Sequence, residues 1–392
     1  MEQQRRILLL GATGYTGQRV LRELLARGQA PTLVGRTRTK MLALADRLEA
    51  ELPVAEVEVT STADLARLLE PSDVVLSTVG PFLQLGMATV TAAAQAGAHY
   101  LDSAGEGSFV RRAFELDAVA AARGATVVPA FGYDYVPGNL AGALALTQAG
   151  EPARRIEVGY FLTRSGHREE LRYRSTLGDA FTLTTGGTRT TLVASAAEDA
   201  FAYRRPRPGA PARQVEERTG KRVHTFGYAG VRRAGLTVAG SEHLGLPEAF
   251  PQLDSVDVCL GWFGRWTRPM QIATTLTAPL LGSAMARAAL ARLSQRLPGS
   301  HREPDRDGRS LVIAVARDAS GRPLATTALT GPDPYQLTAS LLAWGAVQAA
   351  APDAALTPGV HGPVAAFGLD TLSLGAAQAG LHQANESSAR HP

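Results

Sequence analysis

The chain has one cysteine, Cys259, and two lysines, Lys40 and Lys221. A single cysteine excludes an intrachain disulfide framework and a cysteine-based metal site. So few lysines leave no attractive Schiff-base nucleophile. Long apolar runs are also missing. The most apolar later stretch, residues 270–293, follows Pro269 and is interrupted by Pro279, Arg287 and Arg292. It is a poor spanning helix, although contact with a membrane surface remains open. No long basic helix is present, and the net charge of +4 comes almost wholly from scattered arginines, so no nucleic-acid partner is inferred. Arg5 and Arg6 lead into a short strand and a glycine turn rather than a signal-peptide core. A soluble, cytoplasmic protein is therefore expected.

Within these limits the composition is that of a globular protein. The chain has 392 residues, 45% hydrophobic and 19% charged, long enough for two domains with separate cores. The organising stretch is residues 7–17, Ile-Leu-Leu-Leu-Gly-Ala-Thr-Gly-Tyr-Thr-Gly. A four-residue apolar run fits a buried parallel strand. Gly11, Gly14 and Gly17 follow, then a helix with Val20, Leu21, Leu24 and Leu25 on one face and Gly28 at its end. Strand, glycine turn and helix in this order form a dinucleotide-site signature. Gly11 lets the chain leave the strand sharply, Gly14 clears space for a pyrophosphate, and Gly17 lets helix and strand pack closely. The N–H groups of the first helical turn favour an anion.

A second strand is expected at residues 30–34, followed by Gly35, Arg36, Thr37, Arg38, Thr39 and Lys40. An NAD site usually has an acid here for the ribose hydroxyls. Arginines suit a 2′-phosphate instead, so the expected cofactor is NADP, as NADPH. Further strands are expected at residues 55–59, 73–78, 98–102 and 126–129, with helices between them at 61–69, 86–97 and 109–123. This alternation predicts an N-terminal Rossmann domain, a doubly wound parallel sheet. Val79, Gly80 and Pro81 lie at the carboxyl end of a strand, where open α/β sheets bind ligands. Tyr133, Asp134 and Tyr135 follow the sixth strand and are equally readable as active-site floor or domain hinge.

After Gly150 the pattern changes to a second α+β domain with a mainly antiparallel sheet. Its expected parts are a strand at 156–163, a helix start at Gly186, Gly187 and Thr188, a mobile Arg/Pro-rich excursion at 204–222, a hairpin at 311–329 and an apolar helix at 335–350. The expected boundaries are 1–135 for the Rossmann domain and 136–350 for the substrate domain. A C-terminal segment, 351–392, follows and is expected to end in a disordered tail from about His382.

Together these motifs resemble the saccharopine dehydrogenase-like oxidoreductases, in the branch that includes trans-acting enoyl reductases of bacterial lipid biosynthesis. The similar stretches are residues 11–17, 77–82, 99–106, 132–137 and 186–188, Tyr335 with its helix, and 358–369. The resemblance implies a Rossmann domain plus an α/β domain, with the C-terminal segment 351–392 packing back towards the first domain. It also implies that Thr13, Tyr15, Thr16 and the Val79-Gly80-Pro81 loop join the glycines around the cofactor. The family's Gly-Phe-Asp-Ser pattern reads Gly132-Tyr133-Asp134-Tyr135 here, and no catalytic residue carries over from it.

The glycine spacing also suits short-chain dehydrogenases, but those need Tyr-x-x-x-Lys. Arg36 and Glu217 stand four residues before the two lysines, which excludes that chemistry. The expected function is NADPH-dependent reduction of a carbon–carbon double bond in a lipid-like or polyketide-type small molecule. Tyr133, Asp134 and Tyr135 are the candidate proton donors, followed by His99 and Tyr100. Phe181, Phe201, Phe226, Trp262, Phe263 and Trp266 could line an apolar cavity, or simply fill the core. A saccharopine-type imine or amino-acid reductase, served by Arg168, Arg172, Arg174 or Arg189, is the enzymatic alternative. A non-catalytic NADP-binding redox sensor is the other. Assembly into an oligomer is left open.

Overall fold

The computed structural model describes residues 5–164, 200–206, 209–281 and 307–384, with side chains described only to residue 276 in the third of these segments. Gly186–Thr188, Phe181 and the four arginines from Arg168 to Arg189 lie outside the described residues. So does the chain after Ala384. The described residues form two compact units. The first comprises those within Met1–Gly105, Phe109–Val136 and Tyr335–Ala379; the second comprises Glu106–Ser108, those within Pro137–Pro334, and those from Gly380 on.

The first unit is built on a parallel sheet. Its strands are β1 (Ile7–Leu10), β2 (Thr32–Gly35), β3 (Val54–Glu56), β4 (Val74–Ser77), β5 (His99–Asp102) and β6 (Thr126–Val128). The short strand Gly359–Val360 extends the sheet beside β6, and from there the order is β6-β5-β4-β1-β2-β3. All pairings are parallel, the doubly wound arrangement expected from the sequence. All four residues of β1 are buried, as a strand covered on both faces requires. Helix α1 (Tyr15–Ala26) buries Val20, Leu21 and Leu24 against the sheet side. It ends where Gly28 takes φ +71° and donates to Leu25 C=O at 2.9 Å.

Two local expectations need correction. The single helix expected at 109–123 is two helices, Gly107–Phe114 and Asp117–Arg123. Glu115 and Leu116 break the run by turning back to Arg112 C=O and Ala113 C=O. The helix Pro334–Ala350, placed above in the second domain, lies with the first unit from Tyr335 onward. Its Trp344 stacks on Phe131 at 6.2 Å and meets Phe367 at 5.3 Å. A nonlocal aromatic cluster of this kind leaves no trace in local periodicity.

The second unit carries a nine-stranded, mostly antiparallel sheet. Its strands are β7 (Arg155–Arg164), β8 (Phe201–Arg204), β9 (Arg213–Glu216), β10 (Val223–Tyr228), β11 (Val231–Val238), β12 (Ser255–Leu260), β13 (Gly308–Arg317) and β14 (Pro323–Gly331). The last strand, His382–Gln383, pairs with β14. Among the described strands of this unit, only the β12–β7 pairing is parallel. The β13–β14 turn is closed by Asp318, which accepts from the backbone N–H of Ser320 and of Arg322. The Ser320 hydroxyl foremost, together with these bonds and the Arg322 side chain, lowers its carboxyl to about 2.

Part of the expected mobile excursion at 204–222 is ordered here: β8 pairs with β9, and the arginines are matched with acids. Arg204 bonds Asp257, while Arg222 bonds Glu217 and reaches Asp257 at 3.0 Å. Charge density that reads as solvated loop in one dimension is here a paired network on a sheet face. Likewise His382 begins a strand rather than a disordered tail. Phe201, Phe226 and Trp262 are buried. Phe226 packs edge-on against Phe161 in the sheet core at 5.6 Å, and Phe201 meets His243 at the same distance. Phe226 is a core residue, while Phe201, although buried, borders a small pocket with Glu217, Arg222 and Asp257 rather than a large apolar cavity.

Candidate active site

The first unit holds a cleft of about 180 Å³ at the carboxyl ends of β1 and β2. Gly11, Ala12 and Thr13 form one wall; Arg36, Thr37, Lys40 and Met41 form another, with Val59 and Val79 completing it. Gly11 has φ +82°, a conformation that favours glycine. A Cβ there would also meet Thr78 Oγ1 at 2.7 Å. A Cβ on Gly17 would sit 2.1 Å from Gly11 C=O, so helix and strand could not keep their spacing. Gly14 differs: a Cβ there would meet only the Gly11 carbonyl oxygen, at 3.3 Å. Its bareness is not needed for internal packing and leaves open space at the turn.

Gly14 N–H donates to Gly11 C=O at 3.0 Å, and the ladder of α1 starts with Gln18 N–H to Gly14 C=O at 3.0 Å. Tyr15, Thr16 and Gly17 therefore supply the first-turn amides. No acid stands in that turn, so the positive helix end is not neutralised locally. Thr13 and Gly14 are exposed. The Tyr15 ring stands edge-on to Tyr335 at 5.3 Å, and Arg19 donates to its hydroxyl at 2.6 Å.

The two arginines after β2 diverge. Arg36 lines the cleft. Arg38, in helix α2 (Arg38–Arg47), donates to Val54 C=O at 3.1 Å and is not among the lining residues. Lys40 takes the second cationic position in the cleft. Two cations, a hydroxyl and the absence of an acid at the end of β2 form a donor set suited to a 2′-phosphate. The cleft and the open glycine turn thus fit a phosphorylated dinucleotide.

A second group of side chains lies beyond the carboxyl ends of β5 and β6. Asp102, fully buried, ends β5 and accepts from Ala104 N–H and Ala130 N–H, both at 2.8 Å with the same oxygen. It thereby ties together the two loops that follow β5 and β6. Ala130 itself takes φ +58°. Tyr135 hydroxyl donates to Gly105 C=O at 2.8 Å, and Tyr133 N–H donates to Thr338 Oγ1 at 3.0 Å. Asp134 carboxyl lies over Gly105, where an added Cβ would be 2.8 Å from its oxygen. Desolvation raises that carboxyl to about 7.

His99 and Tyr100 belong elsewhere. His99 opens β5, at the amino edge of the sheet, and its Nδ1 accepts from Thr126 N–H at 3.1 Å. Burial lowers it to about 4, so it is neutral at ordinary pH. Tyr100 is fully buried within β5, and burial foremost pushes its phenol well above the usual value. Asp102 and Thr338 were not singled out from the sequence. An acid closing an apolar strand was a visible sign for Asp102; nothing local marks Thr338, which lies 205 residues from Tyr133.

Part of this unit is similar to known proteins. Residues 7–128 match the saccharopine dehydrogenase NADP binding domain. Within the first unit, residues 7–128 are thus similar to the NADP-binding domain of saccharopine dehydrogenases. A trans-acting enoyl reductase of Mycobacterium ulcerans is 34% identical over 140 residues, covering 34% of each chain. One from Mycobacterium tuberculosis is 32% identical over 140 residues with the same coverage. The match therefore spans about a third of the length of these relatives. Saccharopine dehydrogenase (L-Glu forming) of Saccharomyces cerevisiae shares the fold, with a TM-score of 0.57 and 14% identity over 97% of this chain and 99% of that one. Arg36 and Lys40 line the cleft within the matched segment.

Proposed function

We propose that this protein is an NADPH-dependent oxidoreductase that reduces a carbon–carbon double bond of a lipid-like or polyketide-type small molecule. The NADP-binding domain and the names of its relatives support the reaction class. The observation that carries the reading is Asp134, a carboxyl raised to about 7 beside Gly105. Reduction of a double bond needs a hydride on one carbon and a proton on its neighbour. The bound nicotinamide supplies the hydride. A carboxyl titrating near neutrality holds a proton and can still release it.

In this reading the turn at Gly11, Gly14 and Gly17 and the first-turn amides hold the pyrophosphate, with Thr13, Tyr15 and Thr16 beside it. Arg36 and Lys40 hold the 2′-phosphate, and Val79, Gly80 and Pro81 border the path towards β5 and β6. Asp134 is the acid rather than its neighbours, because Tyr135 commits its hydroxyl proton to Gly105 C=O and Tyr133 is buried. Asp134 gives its proton to the substrate carbon and regains one from water.

The test is NADPH oxidation with a panel of 2-enoyl thioesters, using wild type and Asp134→Asn. The expected result is turnover with enoyl substrates that falls about 10²- to 10⁴-fold in the variant, with NADPH binding retained. Turnover only with imines or keto acids plus amines would replace the reading by an amino-acid reductase. Tight NADPH binding without turnover of any acceptor would leave a redox sensor.

A further inference from the structure

The second unit carries a surface that the cofactor chemistry does not use. Helix Thr267–Leu281 follows a single 3₁₀ turn, Gly264–Trp266. Three large apolar side chains on this segment are open to solvent: Trp266 at 44%, Ile272 at 60% and Leu276 at 72%. Ile272 and Leu276 are one helical turn apart, and Arg268 precedes Ile272 by another turn, so the three share one stripe. Arg265 lies over the Trp266 ring at 5.9 Å. The opposite side of the segment is anchored: Thr267 is buried, and Gln271 donates to Lys221 C=O at 3.0 Å. Arg218 also donates to Thr275 at 2.8 Å.

Charge sets this stretch apart from the rest of the chain. From residue 258 to residue 302 there is no aspartate or glutamate, while Arg265, Arg268, Arg287, Arg292, Arg296 and Arg302 fall within it. The chain as a whole has 36 acidic and 40 basic residues, so outside this stretch the acids slightly outnumber the bases. An exposed apolar helix stripe with an aromatic ring and arginines at its start, and no acid to repel phosphate, has the composition of an interfacial segment. No helix among the described residues is long and apolar enough to cross a membrane.

We infer that the Trp266–Leu276 face docks on an anionic lipid surface, with Trp266, Ile272 and Leu276 entering the headgroup boundary and Arg265 and Arg268 meeting lipid phosphates. The inference does not depend on the proposed reaction, and its test does not measure turnover.

The full-length protein is sedimented with vesicles of phosphatidylcholine alone and with vesicles carrying a third phosphatidylglycerol. The expected result is partition onto the anionic vesicles at least tenfold above the neutral ones. Arg265→Gln with Arg268→Gln should weaken that partition by about fivefold per arginine removed. Ile272→Asp with Leu276→Asp should abolish it, and as both side chains are exposed the circular dichroism should not change. Equal recovery with both vesicle types would overturn the inference. So would unaltered binding of the double aspartate variant, or retention on soluble polyglutamate equal to that on vesicles.

Discussion

The carboxyl group of Asp134 rests against the bare Cα of Gly105, with 2.8 Å between its oxygen and the position a Cβ would take. The contact joins the loop after β5 to the loop after β6, and Asp102 fixes both loops from below by accepting a backbone N–H from each. Gly105→Ala should therefore rotate the Asp134 carboxyl away without unfolding the domain, since the obstructed atom is the tip of a side chain. The expected outcome is a roughly tenfold loss of turnover with a melting temperature within a few degrees of wild type. Steady-state kinetics and calorimetry check it together.

Raised to about 7, Asp134 makes a prediction about pH. As a proton donor it is active when protonated, so kcat should fall as pH rises through about 7. Its effect on stability has a defined sign as well. Folding raises this carboxyl, so the native state binds more protons than the unfolded state between about pH 4 and 7. Stability is lost as pH rises across that window and stays lower above it. Asp134→Asn removes this penalty and should raise stability at pH 8 by about 1–4 kcal/mol relative to wild type. Urea melts of both proteins at pH 5 and 8 measure the difference.

Buried histidines act in the opposite direction. His99 and His243 are both lowered to about 4, chiefly by burial. Below the unfolded value of about 6.5 the unfolded chain gains protons that the native state refuses, so stability should drop as pH falls from 6.5 towards 4. A His99→Gln variant should show a shallower decline. Denaturant midpoints across that range are the check.

Gly14 and Gly17 should separate binding from folding. Gly17→Ala puts a Cβ 2.1 Å from backbone and should cost about 3 kcal/mol. Gly14→Ala meets one oxygen at 3.3 Å and should cost under about 1 kcal/mol, yet weaken NADPH binding at least tenfold. Melting curves and fluorescence titrations distinguish the two.

Arg36→Ala and Lys40→Ala should each weaken NADPH binding by about 10- to 100-fold, the worth of a charge-assisted contact, and leave NADH binding nearly unchanged. Arg38→Ala should have little effect on either, because Arg38 donates to Val54 C=O instead. Parallel titrations with both cofactors test all three.

The sequence by itself determined the parallel Rossmann sheet, the glycine turn and the cofactor class. Those features are local: apolar runs report strands buried on both faces, glycine spacing reports a tight strand–helix turn, and missing acids report the phosphate reader. The hairpin of β13 and β14 was equally legible, since alternation and a glycine turn are contiguous. Only the tertiary structure could separate Arg36 from Arg38, because two residues around a helix start point in different directions. Only it could show that Thr338 holds the Tyr133 amide, that the Pro334–Ala350 helix lies mostly with the first unit, and that Arg204 and Arg222 are paired with Glu217 and Asp257. Each of these depends on residues far apart in the chain. Asp134 belongs to both lists: its residue type was readable from the sequence, but its titration near neutrality comes from desolvation, which exists only once the chain has folded around it.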